Sequence, residues 1–116
     1  MGTCTVAILT KNEERHILDA LASARLCADQ LLVVDSGSTD HTVSLARENG
    51  ADITFREWDN DFAAQRNFAL SQAKGDWILF LDADERLTPE LAEKINTIKA
   101  GSQDYQYSFR RINIAF

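Results

Sequence analysis

The feature that most constrains the fold is Trp77-Ile78-Leu79-Phe80-Leu81, an unbroken apolar run that ends in Asp82-Ala83-Asp84. A run of this kind describes a strand buried on both faces. Side chains alternate along an extended chain, so Asp82 and Asp84 project to the same side as the strand leaves the core. Two carboxylates there repel unless a cation lies between them, and a hard divalent ion takes oxygen ligands of this kind. The pattern places a candidate metal site at the carboxyl end of a parallel strand, where open α/β sheets bind their ligands. The plainer alternative is a pair of loop carboxylates that cap Thr88-Pro89 or lie in solvent.

Further strands alternate with helices around this one. Thr5–Thr10 reads as a first strand, followed by a helix capped by Asn12, with Glu13 and Glu14 in its first turn and Ile17, Leu21 and Ala24 at helical spacing. Gln30–Val34 is a second buried strand ending at Asp35, and Ser36–Asp40 a tight loop with a cap residue. The next helix runs through Val43 and Ala46 and stops at Asn49-Gly50. Ile53–Arg56 is a short third strand. Asp61 caps a helix from Phe62 to Ala73 that Gly75 closes, and Thr88-Pro89-Glu90 starts a last helix with Leu91, Ile95 and Ile98 on its apolar face. Tyr105–Phe116 reads as extended, with a bulge near Arg110-Arg111 where the apolar parity changes. This alternation gives βαβ units, hence an α/β fold with a mostly parallel sheet.

The chain of 116 residues is one domain at most, and its net charge of −6 argues against a partner held by nucleic-acid phosphates. Cys4 and Cys27, without a secretory leader, read as reduced, buried thiols of a cytoplasmic protein. No apolar run approaches membrane-spanning length. Phe116 ends the sequence inside an apolar segment, which reads as a truncated chain. Tyr105, Tyr107, Ile112, Ile114 and Phe116 would then form an uncovered edge that favours a homo-oligomer.

Three further positions invite a functional reading. Asp35 stands at the carboxyl end of the second strand, where it either closes an Asx-turn over Ser36-Gly37 or accepts hydrogen bonds from a ribose or base. Arg66 falls inside the apolar stripe of Phe62, Ala69, Leu70 and Ala73, so it either meets an anion or pairs with Asp59 or Asp61. The acidic segment Trp58–Asp61 either lines a pocket or, the preferred reading, forms a solvated loop. His16 and His41 fall in early helical turns without metal-ligand spacing, and neither a nucleophile elbow nor a Gly-Lys-Ser/Thr phosphate loop is present.

Four motifs in order coincide with a known family: Leu9-Thr10-Lys11-Asn12-Glu13-Glu14, Val33–Asp40, Ala63-Ala64-Gln65-Arg66-Asn67, and Gly75–Glu85. The chain resembles the N-terminal, nucleotide-sugar-binding half of family 2 GT-A-fold glycosyltransferases. Within that family it is most similar to bacterial enzymes of lipopolysaccharide core biosynthesis. The resemblance implies a GT-A, Rossmann-like sheet with helices on both faces, and a single donor-binding half over residues 1–116 with the acceptor half absent. It implies an inverting transfer of sugar from a nucleotide-diphosphate-sugar, a UDP-sugar by preference, to a lipopolysaccharide or other glycan acceptor. By position, Thr10, Asn12 and Glu13 would edge the nucleotide pocket. Asp35 would hold the uracil or ribose, Arg66 would lie near the base or diphosphate, and Asp82 would approach the ribose. Asp84, with Asp82, would hold Mg²⁺ or Mn²⁺ against the diphosphate. The implied location is cytoplasmic, at the inner face of the membrane where the acceptor is lipid-linked.

The chain departs from the family pattern at Leu9 and Lys11, where many members carry Pro and a base-stacking aromatic residue. The family's general base also belongs to the acceptor half, beyond Phe116, so the alternative function is a non-catalytic module that binds the donor. Aspartyl-phosphate phosphatases share the strand followed by Asp-x-Asp but want Thr or Val where Arg86 stands. Nucleotidyltransferases that make activated sugars want a Gly-rich first loop, and Leu9–Glu14 has no Gly.

Overall fold

Val6, Ala7 and Ile8 are wholly buried, so the strand that carries them is central and covered on both faces. A computed structural model describes residues 2–101 and 113–114. In chain order the elements are β1 (Cys4–Thr10), α1 (Ile17–Ala24), β2 (Gln30–Asp35), α2 (Thr42–Glu48), β3 (Asp52–Phe55), α3 (Phe62–Gln72), β4 (Trp77–Asp82), α4 (Pro89–Gly101) and β5 (Asn113–Ile114). The sheet order is β3-β2-β1-β4-β5, and every pairing is parallel. This is the α/β arrangement with a parallel sheet that the strand–helix alternation predicts, in the Rossmann-like form that the resemblance implies.

Each face of the sheet has its own core. On one face Val6, Ile8, Val33, Leu79 and Leu81 pack under α1, α2 and α4, with Ile17, Leu21, Ala46 and Ile95 as helix partners. On the other, Ala7, Leu32, Val34, Ile78 and Phe80 meet Ala69 of α3 and Ala73 just beyond it. The alternation of neighbours between faces is the period-two geometry of a strand covered on both sides. Cys4 and Cys27 are buried and unbridged in the first core.

Several local expectations need correction. Asn12 is not a helix cap: it adopts a left-handed conformation, φ 55°, and α1 begins only at Ile17 after a turn in which the Glu13 carbonyl accepts from His16 and Ile17 N–H. Phe62 does not join the buried stripe of α3 but is 54% exposed, and Gln65 is buried in its place. Ile98 of α4 is likewise exposed, its turn being occupied inward by Ala92 and Ile95. α3 ends at Gln72, and Gly75 serves a different purpose. A Cβ at Gly75 would stand 2.6 Å from the Thr5 backbone nitrogen, so only glycine lets β4 enter beside β1. The caps at Asp61 and Thr88 occur as read: Asp61 Oδ1 accepts from Ala64 N–H at 2.9 Å and Thr88 Oγ1 from Leu91 N–H at 3.2 Å.

β5 lies beside β4 with Ile78 opposite Asn113. Tyr105, Tyr107, the bulge at Arg110-Arg111 and Phe116 lie outside the described residues, and with them the basis for the expected homo-oligomer. Among the described residues, no helix is long and apolar enough to cross a membrane.

Candidate functional site

The strand order reverses direction between β1 and β4, and such a switch point opens a crevice at the carboxyl ends of the strands. Register places the candidate residues along that edge. Asp35 is the β-partner of Thr10, and Asp82 is the partner of Leu9, so β1 lies between the two acidic strand ends.

Asp35 is turned into its own loop. It is 3% exposed. Its Oδ1 accepts from Thr10 Oγ1 at 2.7 Å and Ser38 Oγ at 2.6 Å, and its Oδ2 from the N–H groups of Gly37 at 3.0 Å and Ser38 at 2.8 Å. Burial pushes this carboxyl up, but the hydrogen bonds of Ser38, Thr10 and Gly37 outweigh it and hold it below the usual carboxylate range. The carboxylate's acceptor directions are thus engaged. Direct acceptance from a ribose or base, as the resemblance implies, requires one of these bonds to be exchanged. The Asx-turn and the site position are here one structure.

Asn12 and Glu13 tie the first loop to the second. Asn12 Oδ1 accepts from Thr39 N–H at 2.8 Å, Asn12 N–H donates to Ser38 Oγ at 2.8 Å, and Glu13 N–H donates to Thr42 Oγ1 at 2.8 Å. Both residues therefore shape the edge of the crevice through backbone and amide groups. Glu13 Oε1 also lies 3.1 Å from His16 Nδ1, and Glu14 Oε1 the same distance from His41 Nδ1, which accounts for both histidines.

Asp82 and Asp84 stand exposed on either side of buried Ala83. The turn that holds them is closed by Glu85 N–H to the Asp82 carbonyl at 2.9 Å and Asp82 N–H to Glu85 Oε1 at 3.1 Å. Arg86 clamps it by donating through Nη1 to the Ala83 and Glu85 carbonyls. Burial pushes the Asp82 carboxyl up, and the negative charges of Glu85, Asp84 and Glu13 add to the rise against the opposing Arg66. A rim of crowded carboxylate oxygens suits a hard divalent cation. Among the described residues, no three His, Cys, Asp or Glu side chains gather into a ready cage. The donor set therefore fits an ion that takes one or two carboxylates here and completes its shell from ligand phosphate oxygens and water.

Two adjoining clefts open along this rim. One, of about 150 Å³, is lined by Leu9, Phe62, Arg66, Phe80, Asp82 and Glu85 among others. The other, of about 260 Å³, is bounded by Thr10, Lys11, Ser36, Trp58, Gln65 and Asp82, with Leu9 and Phe62 shared. Asp82 belongs to both, whereas Asp84, Asn12 and Glu13 are not in their walls. The guanidinium of Arg66 sits over the Phe80 ring, 4.4 Å from its centre. The partners considered for it are engaged elsewhere: Asp59 binds Arg56 at 2.9 Å and Asp61 caps α3.

Two site residues escape the sequence reading. Gln65, 1% exposed, donates through Nε2 to Ser36 Oγ at 2.9 Å and accepts at Oε1 from Arg56 Nη1 at 2.8 Å. Its presence among apolar positions of α3 was the available signal. Trp58, whose segment reads by preference as a solvated loop, forms a cleft wall, the alternative its acidic composition left open. Nothing in the acidic composition of its segment distinguishes the two.

The sequence profile of the family described as "Glycosyl transferase family 2" matches residues 5–114. A Rickettsia typhi protein described as an uncharacterized glycosyltransferase is 38% identical over 114 residues, 98% of this chain and 39% of its own length. A similarly described Rickettsia bellii protein is 40% identical over 107 residues, 92% of this chain and 36% of its own length. The chain thus spans about two fifths of these relatives. Among solved structures, it is similar to glucosyl-3-phosphoglycerate synthase from Mycobacterium tuberculosis in complex with Mn²⁺, UDP and glucosyl-3-phosphoglycerate. That likeness has a TM-score of 0.62 and 28% identity, over 71% of this chain and 33% of that one.

Proposed function

Because this chain belongs to glycosyl transferase family 2, we propose that it is the nucleotide-sugar-binding half of a glycosyltransferase that uses a nucleotide-diphosphate-sugar, with UDP as the nucleotide. The observation that carries the reading is Asp82: it lines both clefts at the switch point, with Arg66 in the wall of one and Lys11, Ser36 and Gln65 in the wall of the other. The Mycobacterium tuberculosis synthase, crystallised with Mn²⁺ and UDP, supports it by likeness of fold.

In this reading the diphosphate lies at the Arg66–Asp82 end and the nucleoside at the Thr10–Ser36 end. Asp82 and Asp84 hold Mg²⁺ or Mn²⁺, which when bound supplies positive charge to the diphosphate as it leaves. Arg66 adds a fixed guanidinium on the same side. Asp35 organises the loop, and an incoming base or ribose takes the place of the hydrogen bond that the Thr10 or Ser38 hydroxyl donates to the Asp35 carboxylate. Asn12 and Glu13 keep the two loops in register around the nucleoside. Acceptor recognition, the general base and the inversion of the anomeric centre belong to the part of the relatives that this chain does not match. A lipopolysaccharide or other glycan, reached at the inner face of the membrane, is the acceptor this reading expects.

Calorimetric titration with UDP, in Mn²⁺ and in chelator, tests the proposal. Tighter binding in Mn²⁺ supports it; no UDP binding in either condition removes it.

A further inference from the structure

Trp58 is 39% exposed, yet its ring is fixed. The indole Nε1 donates to Asn60 Oδ1 at 3.1 Å, and Phe62 meets the ring edge-on with centroids 6.2 Å apart and planes at 86°. The loop that carries it is fixed as well. Arg56 Nη2 binds Asp59 Oδ2 at 2.9 Å, Arg56 Nη1 donates to Gln65 Oε1, Asp61 N–H donates to Asp59 Oδ1 at 3.2 Å, and Asp61 caps α3. Asn60 takes a left-handed conformation, φ 64°, to close the turn. A large aromatic side chain held in place and partly exposed in the wall of a cleft is a preformed wall for a flat ligand, because little ordering remains to be done on binding.

The chemistry of the cleft selects the ligand. Asp82 lines the same cleft as Trp58, and Arg66 and Glu85 line the adjoining one; these are the groups suited to the charged part of a donor. Beside Trp58 the cleft is lined by the hydroxyls of Thr10 and Ser36, the amide of Gln65 and the exposed Lys11. A planar ring with carbonyl and N–H groups at its edge matches an aromatic wall accompanied by hydroxyl, amide and ammonium groups.

We propose that Trp58 is the stacking wall for the nucleobase of the donor. The inference rests on the nucleotide-sugar reading given above. Base–aromatic stacking is worth about 1–3 kcal/mol per base by truncation, so removal of the ring weakens UDP binding by about tenfold or more.

The test is UDP affinity of the wild-type chain, Trp58→Phe and Trp58→Ala in Mn²⁺, with the unfolding midpoint of each. The expected result is a loss of about tenfold or more in Trp58→Ala, an unchanged midpoint, and recovery of most of the affinity in Trp58→Phe. Equal UDP affinity in wild type and Trp58→Ala overturns the proposal and leaves the donor site standing. A loss that Phe does not recover, or one accompanied by a fall in the midpoint, assigns Trp58 to loop structure and also overturns it. A loss seen with a UDP-sugar but not with UDP moves the contact to the sugar. Failure of the wild type to bind UDP removes the donor reading and this proposal together.

Discussion

Arg66 of α3 lies over Phe80 of β4, and Asp82, two residues further along that strand, therefore faces the same side of the sheet as the guanidinium. The ring positions a cation at the cleft beside a carboxylate whose protonation that cation opposes. Arg66→Ala should weaken UDP binding by about tenfold, the loss of one charge-assisted contact. Arg66→Lys should recover only part of this, since an ammonium neither forks nor stacks as a guanidinium does. Calorimetry on the two variants checks both statements.

Asp35 predicts a pH dependence of stability. Its carboxyl is depressed in the folded chain, so the stabilisation it contributes is fully present above the ordinary carboxylate range and is lost as pH falls through the depressed value. Asp35→Asn should flatten the acid limb of a urea-denaturation series. Asp35→Ala leaves two hydroxyls and two N–H groups without their acceptor and should cost about 3 kcal/mol at neutral pH.

Gln65→Leu offers a probe of the contact between α3 and the β2–α2 loop. The substitution keeps an apolar stripe that secondary-structure patterning would prefer, yet it removes the partner of Ser36 Oγ and of Arg56. Destabilisation of about 2 kcal/mol is expected, read as a lower urea midpoint with an unchanged slope.

Two glycines should respond differently to Ala. At Gly75 the added Cβ meets the Thr5 backbone at 2.6 Å, and β1 and β4 must separate, at about 3 kcal/mol or more. At Gly50 nothing lies within 4 Å, and only the positive φ of 87° is strained, at about 1 kcal/mol. Thermal unfolding of the two variants separates steric from conformational cost.

The sheet was legible because its strands are nearly continuous apolar runs, and the carboxylates at their ends follow from register alone. Caps at Asp61 and Thr88 were legible because their hydrogen bonds are local. What sequence periodicity missed is non-local. Asn12 looks like a cap until Thr39 N–H is seen to occupy its side chain. Phe62 fits the apolar stripe of α3, but the first turn of the helix stands over the cleft, where that face meets no core. Trp58 could not be separated from a solvated loop, because its loop is fixed through Arg56, which binds Asp59 and reaches Gln65 of α3, and no periodicity announces that arrangement.

The raised Asp82 carboxyl links metal and proton. Burial and the charges of Glu85 and Asp84 favour a proton on Asp82 in the metal-free chain, so proton and cation compete for this carboxylate and Mn²⁺ affinity should fall as pH falls. The most direct measurement is UDP affinity at neutral pH with Mn²⁺ and with chelator, for the wild-type chain and for Asp84→Ala. A site in which Asp84 and Asp82 hold the cation predicts that Mn²⁺ tightens UDP binding in the wild type and has no effect in Asp84→Ala. The same Mn²⁺ enhancement in both proteins would contradict it.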